Sequence, residues 1–424
     1  MVTALLVVGL LVAIFVGYNI GGSSTGVAFG PAVGSRIIGK VGAGALFTAF
    51  ALWGGWTVGR NVIETMSDGI VPAGQFTLET SVVVLFFAGF ALLISNLYGV
   101  PASTSMTAVG AIVGLGLATD TLNESLMFTI VSAWIVAPLA AFWVGFLIGR
   151  YVYPHLDTRF SFSRIEGGLF RLDREHSIPR PTLSASVGKR DAAGAISVLV
   201  IACYMGFSAG ASNAANAVAP LVGDGSITVE QGILLAIGSI GLGGLTIARR
   251  TLDTVGEGIT DLPILAALIV SIIGATIITI LSRFGIPASL AVSTTSCIIG
   301  LGWGRASRAV ALSDVAESAI QPEPAPDVDL SAGALIAETS EAEVPPGPTI
   351  GDVAEGEVPS PPTSRDGGET PEVPSIGEES IEELSAESLF DPAATSRIVV
   401  LWVLSPTISA IGSYVLFEFV LGTG

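Results

Sequence analysis

The sequence predicts an all-α polytopic membrane protein built from two inverted repeats, with broken helices at its site. Each repeat is expected to hold about five transmembrane or re-entrant elements. Three observations lead there. Half of the chain is hydrophobic, only 13% is charged, and mean hydropathy is +0.73. Apolar stretches near the length needed to cross about 30 Å of hydrocarbon recur along it. The chain also repeats itself: GGSSTGVAFGPAVG at 21–34 returns as GASNAANAVAPLVG at 210–223, and VGRNVIETMSDGI at 58–70 returns as IARRTLDTVGEGI at 247–259. ASTSMTAVGAIVG at 102–114 returns as VSTTSCIIGLGWG at 292–304. Two similar halves in an apolar chain are a pattern from which secondary carriers build one site at the repeat interface.

The elements follow in order. Residues 1–149 form a first repeat, with spans at 2–20, 41–58, 79–96 and 125–149. Residues 150–192 form a polar linker, and 193–304 with 396–424 form the second repeat, with spans at 193–209, 230–248, 262–282 and 396–421. The stretches 101–118 and 288–304 open on Ser/Thr-rich turns and either cross or re-enter. The N-terminus has no basic region before its apolar run, so it reads as a first span rather than a cleaved signal peptide.

Charge separates a further segment. Residues 305–395 form an acidic, proline-rich insert, and 309–395 hold 20 of the 36 acidic residues, one basic residue and 12 of the 23 prolines. Such a composition buries too little apolar area to offset chain entropy, which predicts disorder. Two lysines against 16 arginines beside an acidic segment suit a high-salt cell. Eight of the 18 basic residues lie in 150–190, which places the linker in the cytoplasm of a multi-pass plasma-membrane protein. Arg305, Arg308 and Arg397 place the ends of the insert there too, with both termini outside. An odd number of crossings per half then inverts the second half.

Several chemistries are absent from the sequence. His155 and His176 sit among charges in the linker, Cys203 and Cys297 lie in separate apolar stretches, and no HExxH, Ser-His-Asp set or P-loop occurs. The chain is therefore expected not to be an enzyme and to hold no resident metal or organic cofactor.

The repeated blocks carry the candidate site. Gly21, Gly22 and Gly26 around Ser23, Ser24 and Thr25 are expected to unwind a helix, as is the matched run with Ser212, Asn213 and Asn216. A break exposes backbone N–H groups to anions and carbonyls to cations. The opposing expectation is close helix packing through small residues. Ser103, Thr104 and Ser105, matched by Ser293, Thr294 and Thr295, offer neutral donors and acceptors to a partly dehydrated oxyanion. Helix capping is the alternative use of those hydroxyls. Arg60 with Glu64, matched by Arg249 with Asp253, forms a candidate ion pair at a segment end, interfacial or gating.

Together these blocks resemble the inorganic phosphate transporter family of the PiT type, as a divergent prokaryotic member of archaeal kind. GASNAANAVAPLVG is similar to its GANDVANA motif, GGSSTGVAFGPAVG more loosely, and Pro101–Ser105 and Val292–Thr295 to its PVSTT motif. The resemblance implies a dimeric inverted-repeat carrier that takes up phosphate with sodium or protons, with no nucleic-acid partner. It also implies that Ser23–Thr25, Ser103–Ser105, Ser212, Asn213, Asn216 and Ser293–Thr295 bind the ions. One departure stands out. The family has Asp where this chain has Ser24 and Asn213, and Ala51 and Ile240 stand at its other acidic positions. That weakens the case for sodium more than the case for an anion. A sulfate permease of the same family, and a non-transporting membrane sensor with a regulatory acidic tail, are the alternatives.

Overall fold

The computed structural model describes residues 2–35, 37–97, 103–158, 170–173, 180–183, 189–246, 264–308 and 392–421. The first half runs through α1 (Val2–Gly34), α2 (Lys40–Thr57), α3 (Gly59–Glu64), α4 (Leu78–Leu97), α5 (Thr104–Ala118) and α6 (Glu124–Leu147). A π-helical turn, Ile148–Val152, carries α6 into the short α7 (Tyr153–Asp157). The linker holds an antiparallel pair, β1 (Phe170–Asp173) and β2 (Arg180–Leu183), which the helical patterning did not foretell. The second half runs through α8 (Lys189–Gly223), α9 (Val229–Thr246), α10 (Ile264–Arg283), α11 (Leu290–Ala306) and α12 (Pro392–Leu416). Residues 309–391 of the acidic insert lie outside the described residues, as do His176, Arg249 and Asp253.

Among the described residues, six helices are long and apolar enough to cross a membrane, and a seventh span arises if α2 and the following segment, bent by 63°, count as one. With 15 residues, α5 extends only about 22 Å, short of a hydrocarbon core of about 30 Å.

The expected breaks within α1 and α8 do not occur. Both helices pass unbroken through the Gly/Ser-rich runs. The physical reason is helix contact. A Cβ placed on Gly21 would overlap the Ile240 carbonyl oxygen, and one on Gly210 would overlap that of Ala51. The small residues therefore serve close approach of neighbouring backbones, the alternative reading of these runs. The hydroxyls turn back onto their own helices: Ser23 Oγ donates to Ile20 O at 3.1 Å, Thr25 Oγ1 to Gly21 O at 2.9 Å and Ser212 Oγ to Ala209 O at 3.4 Å. Such bonds satisfy the side chain without interrupting the helix.

The halves exchange partners. α1 packs on α9 and α2 on α8, while α5 packs on α12 and α6 on α11. The glycines record the same exchange. Gly54 abuts the Phe207 carbonyl and Gly243 that of Tyr18, and Gly110 abuts the Pro406 carbonyl and Gly300 that of Phe142. The contacts also give direction. Gly17 and Gly21 of α1 meet Ser239 and Ile240, and Thr25 meets Gly244, so α1 and α9 run parallel. Gly145 and Gly149 likewise meet Cys297 and Leu301, so α6 and α11 run parallel.

Arg150, assigned from sequence to the basic linker, is buried at the end of α6. Its Nη1 donates to Ser307 Oγ at 2.6 Å, and Arg308 Nη1 donates to the Arg150 carbonyl at 2.6 Å. These bonds clamp the ends of α6 and α11 together, so Arg150 acts as a structural bracket rather than a loop charge.

Candidate functional site

Where α5 meets the middle of α8, two short polar motifs from different halves converge. Thr104 Oγ1 donates to Asn213 Oδ1 at 2.6 Å. Asn216 Nδ2 reaches the same Oδ1 at 3.0 Å, Ser105 Oγ at 3.1 Å and Thr104 Oγ1 at 3.4 Å. Asn213 and Asn216 lie one helical turn apart on α8, so both amides present on one face. Ser103 is the N-cap of α5 but makes no capping bond with its side chain. Its backbone carbonyl accepts from Thr107 N at 3.0 Å and from Thr107 Oγ1 at 2.8 Å. The N–H groups of the first helical turn have no acceptor within the helix, and the helix dipole adds positive potential there.

Two polar atoms of the cluster are buried without a hydrogen-bond partner: Ser103 Oγ and Asn216 Oδ1. Their residues are 0% and 1% exposed. An unsatisfied buried polar group costs about 1–3 kcal/mol, which makes this cluster the candidate for a ligand site. Every group in the cluster is neutral. The set can grip an oxyanion through N–H and O–H donors, and it offers amide and hydroxyl oxygens to a proton on the anion or to a small cation.

The expected symmetric site from the second half is not assembled in the same way. α11 begins at Leu290, and its N-cap Ser289 does cap, accepting from Val292 N at 3.4 Å. Ser293, Thr294 and Thr295 therefore fall inside the helix, and Thr294 Oγ1 donates back to Leu290 O at 2.9 Å. No hydrogen bond joins them to Ser23, Ser24 or Thr25 among the described residues. Of the twelve candidate ion-binding residues, the structure links Thr104, Ser105, Asn213 and Asn216 directly, with Ser103 adjacent.

Sequence reasoning missed Ser289, although a signal was present. GVPAS at 99–103 recurs as GIPAS at 285–289, a spacing of 186, whereas Gly110 and Gly114 recur at 300 and 304, a spacing of 190. Four extra residues, about one helical turn, thus separate the cap from the hydroxyl triplet in the second half.

The expected Arg60–Glu64 pair is also replaced. Arg60 Nη1 meets Glu230 Oε1 at 2.8 Å, its Nε donates to Trp56 O at 2.9 Å, and its guanidinium lies over the Trp56 ring at 4.8 Å. Glu64 points to the exposed side of α3. A cation placed four residues before an anion is the weaker helical order, and the start of α9 offers a better carboxylate. Nothing local to Arg60 in sequence announces Glu230, 170 residues away.

A polytopic helical chain with a neutral polar site assembled across its two halves is a membrane transporter in class. The profile of the Phosphate transporter family matches residues 20–320, and the chain belongs to that family. It is 33% identical to the sulfate permease CysP of Bacillus subtilis over 297 residues, covering 70% of this chain and 77% of that one. It is 25% identical to a candidate phosphate permease of Thermococcus kodakarensis over 366 residues, covering 71% of this chain and 90% of that one. A solved structure described as the sodium-dependent phosphate transporter shares the fold, with a TM-score of 0.61, 18% identity and coverage of 98% and 100%.

Proposed function

We propose that this chain is a secondary transporter that moves inorganic phosphate across the plasma membrane by alternating access, coupled to sodium or protons. The observation that carries the reading is the cross-half cluster at the start of α5, where Thr104 bonds Asn213 and where Ser103 Oγ and Asn216 Oδ1 are buried without partners. A contact made between halves is remade when the halves rock against each other, which is what alternating access requires. An inverted repeat is part of the reading. Its support is the parallel run of α1 and α9: α9 returns against α8 after a short turn, so α8, the counterpart of α1, runs opposite to α1. The cytoplasmic linker and the homodimer implied by the family resemblance belong to the same reading.

Sulfate is the second reading, and a specific observation favours it. Asn213 stands where the family motif has a carboxylate. A carboxylate repels fully deprotonated sulfate, whereas an amide carries no charge to repel it. Proteoliposomes loaded with the purified chain separate the readings. Uptake of labelled phosphate, suppressed weakly by sulfate, supports the first; the reverse order supports the second. Repeating uptake with and without sodium and across a pH gradient identifies the coupling ion. Absence of uptake and counterflow for both anions leaves the non-transporting sensor.

A further inference from the structure

The same proline motif precedes both short helices, GVPAS at 99–103 ahead of α5 and GIPAS at 285–289 ahead of α11. The second motif is held by the first half of the chain. Trp134 Nε1 on α6 donates to the Pro287 carbonyl at 2.7 Å, and Asn61 Nδ2 on α3 donates to the Arg283 carbonyl at 2.6 Å. Pro287 lies two residues before the N-cap of α11, outside the helix. A backbone carbonyl outside a helix needs another donor wherever a bilayer excludes water. The indole supplies it.

The tryptophan recurs in α12, and its position shows what it serves. WIVAP at 134–138 returns as WVLSP at 402–406, and each tryptophan stands ten residues after the first residue of its helix. α12 runs parallel to α5, since Gly110 abuts the Pro406 carbonyl and Gly114 that of Ala410; the matched contact of α11 with α6 is Gly300 against the Phe142 carbonyl. From proline to contact glycine is 9 residues in the first half (Pro101 to Gly110) and 13 in the second (Pro287 to Gly300). From tryptophan to contact carbonyl is 4 residues on α12 (Trp402 to Pro406) and 8 on α6 (Trp134 to Phe142). Both intervals lengthen by the same four residues, about one helical turn. The tryptophan therefore keeps its register with the proline and not with the glycine crossing. A side chain that served the crossing would have stayed with the glycines, and an aromatic anchor at the membrane interface needs no such register.

We propose that Trp402 is a positioning residue for the start of α5, as Trp134 is for the start of α11: each indole N–H tethers the proline motif that opens the short helix of the opposite half. α5 opens directly into the polar cluster, where Thr104 bonds Asn213. A start fixed by Trp402 holds that cluster in place without touching the anion. The effect on uptake rests on the transport reading, whereas the tether itself does not.

Two replacements at each tryptophan test this on the purified full-length chain: phenylalanine, and benzothienylalanine, which keeps the fused ring but carries sulfur in place of the N–H. Amide hydrogen exchange read by mass spectrometry should quicken about fivefold at the first turn of α5 in Trp402→Phe and at the first turn of α11 in Trp134→Phe, each leaving the other start alone. In proteoliposomes, both Trp402 replacements should raise the half-saturating concentration of the transported anion, inorganic phosphate or sulfate, about fivefold and leave the maximal rate within about twofold. Ile398→Trp added to Trp402→Phe moves the indole one turn back, to the level that the glycine crossing assigns to Trp134, and should restore neither property. Unchanged exchange at the start of α5 in both Trp402 replacements, unchanged half-saturation, or rescue by Ile398→Trp overturns the proposal. Where phenylalanine lowers the thermal melt, the benzothienyl replacement, which preserves the packing, decides. If the unmodified chain moves neither anion, the transport reading falls and the exchange measurement still decides the tether.

Discussion

Thr104 and Asn213 are joined by a 2.6 Å hydrogen bond that links the first half of the chain to the second across 109 residues. It is made between a residue at the start of a short helix and one in the middle of a long helix. A displacement of one helix against the other must therefore stretch or break this bond.

Removing this donor gives the most direct test of the cross-half coupling. Thr104→Val keeps the shape and deletes the hydroxyl, leaving Asn213 Oδ1 with Asn216 alone. The net loss is about 1–1.5 kcal/mol, which corresponds to about a tenfold fall in initial uptake at low substrate. Uptake unchanged in proteoliposomes would place the anion elsewhere.

Asn213→Asp restores the carboxylate of the family motif. Sulfate should then compete less well against labelled phosphate, and uptake should depend more steeply on sodium, because a carboxylate neutralises a cation and repels a fully deprotonated anion. Competition curves and sodium titrations in the same vesicles read both effects. An unchanged preference and sodium dependence would show that this position does not face the ions.

The Arg60–Glu230 bridge is solvent-accessible, with side chains 31% and 50% exposed. An exposed ion pair of this kind contributes little, because water and salt screen it. Glu230→Gln should therefore leave thermal stability nearly unchanged. A large fall in uptake with stability intact would assign the pair to gating rather than anchoring.

Helix contact in the glycine runs predicts sharp intolerance. Gly210→Val drives a side chain against the Ala51 carbonyl, and the crossing of α2 and α8 must open to admit it. Overpacking of this sort costs about 1–3 kcal/mol or more, so the variant should express poorly and aggregate in detergent. Gly238→Ala is the control: a Cβ there meets nothing within 4 Å, and the change should be neutral or stabilising. Normal chromatography and melting of Gly210→Val would remove the packing account.

Much of this fold is legible from residues alone. Hydropathy locates the apolar helices, six of which among the described residues are long enough to cross a membrane, and the recurrence of 21–34 at 210–223 predicts two similar halves. The hydroxyls at 103–105 and the amides at 213 and 216 stand out because polar groups in apolar segments need partners. The same glycines, however, suit both an unwound helix and a close crossing. Only the neighbouring Ile240 and Ala51 carbonyls select the crossing, and those contacts lie 219 and 159 positions from Gly21 and Gly210.

By itself the sequence determines the membrane class, the two halves and the residue types available to hold an oxyanion. These depend on composition, periodicity and recurrence, which are local or self-referential properties. Tertiary structure alone decides which copies of those residues meet. It pairs Thr104 with Asn213, turns Thr294 back onto its own helix, caps α11 with Ser289 and leaves Ser103 and Asn216 Oδ1 buried without partners. The reason is that a hydrogen bond is settled within about 3 Å, and one extra helical turn between cap and triplet moves a hydroxyl by about 5 Å.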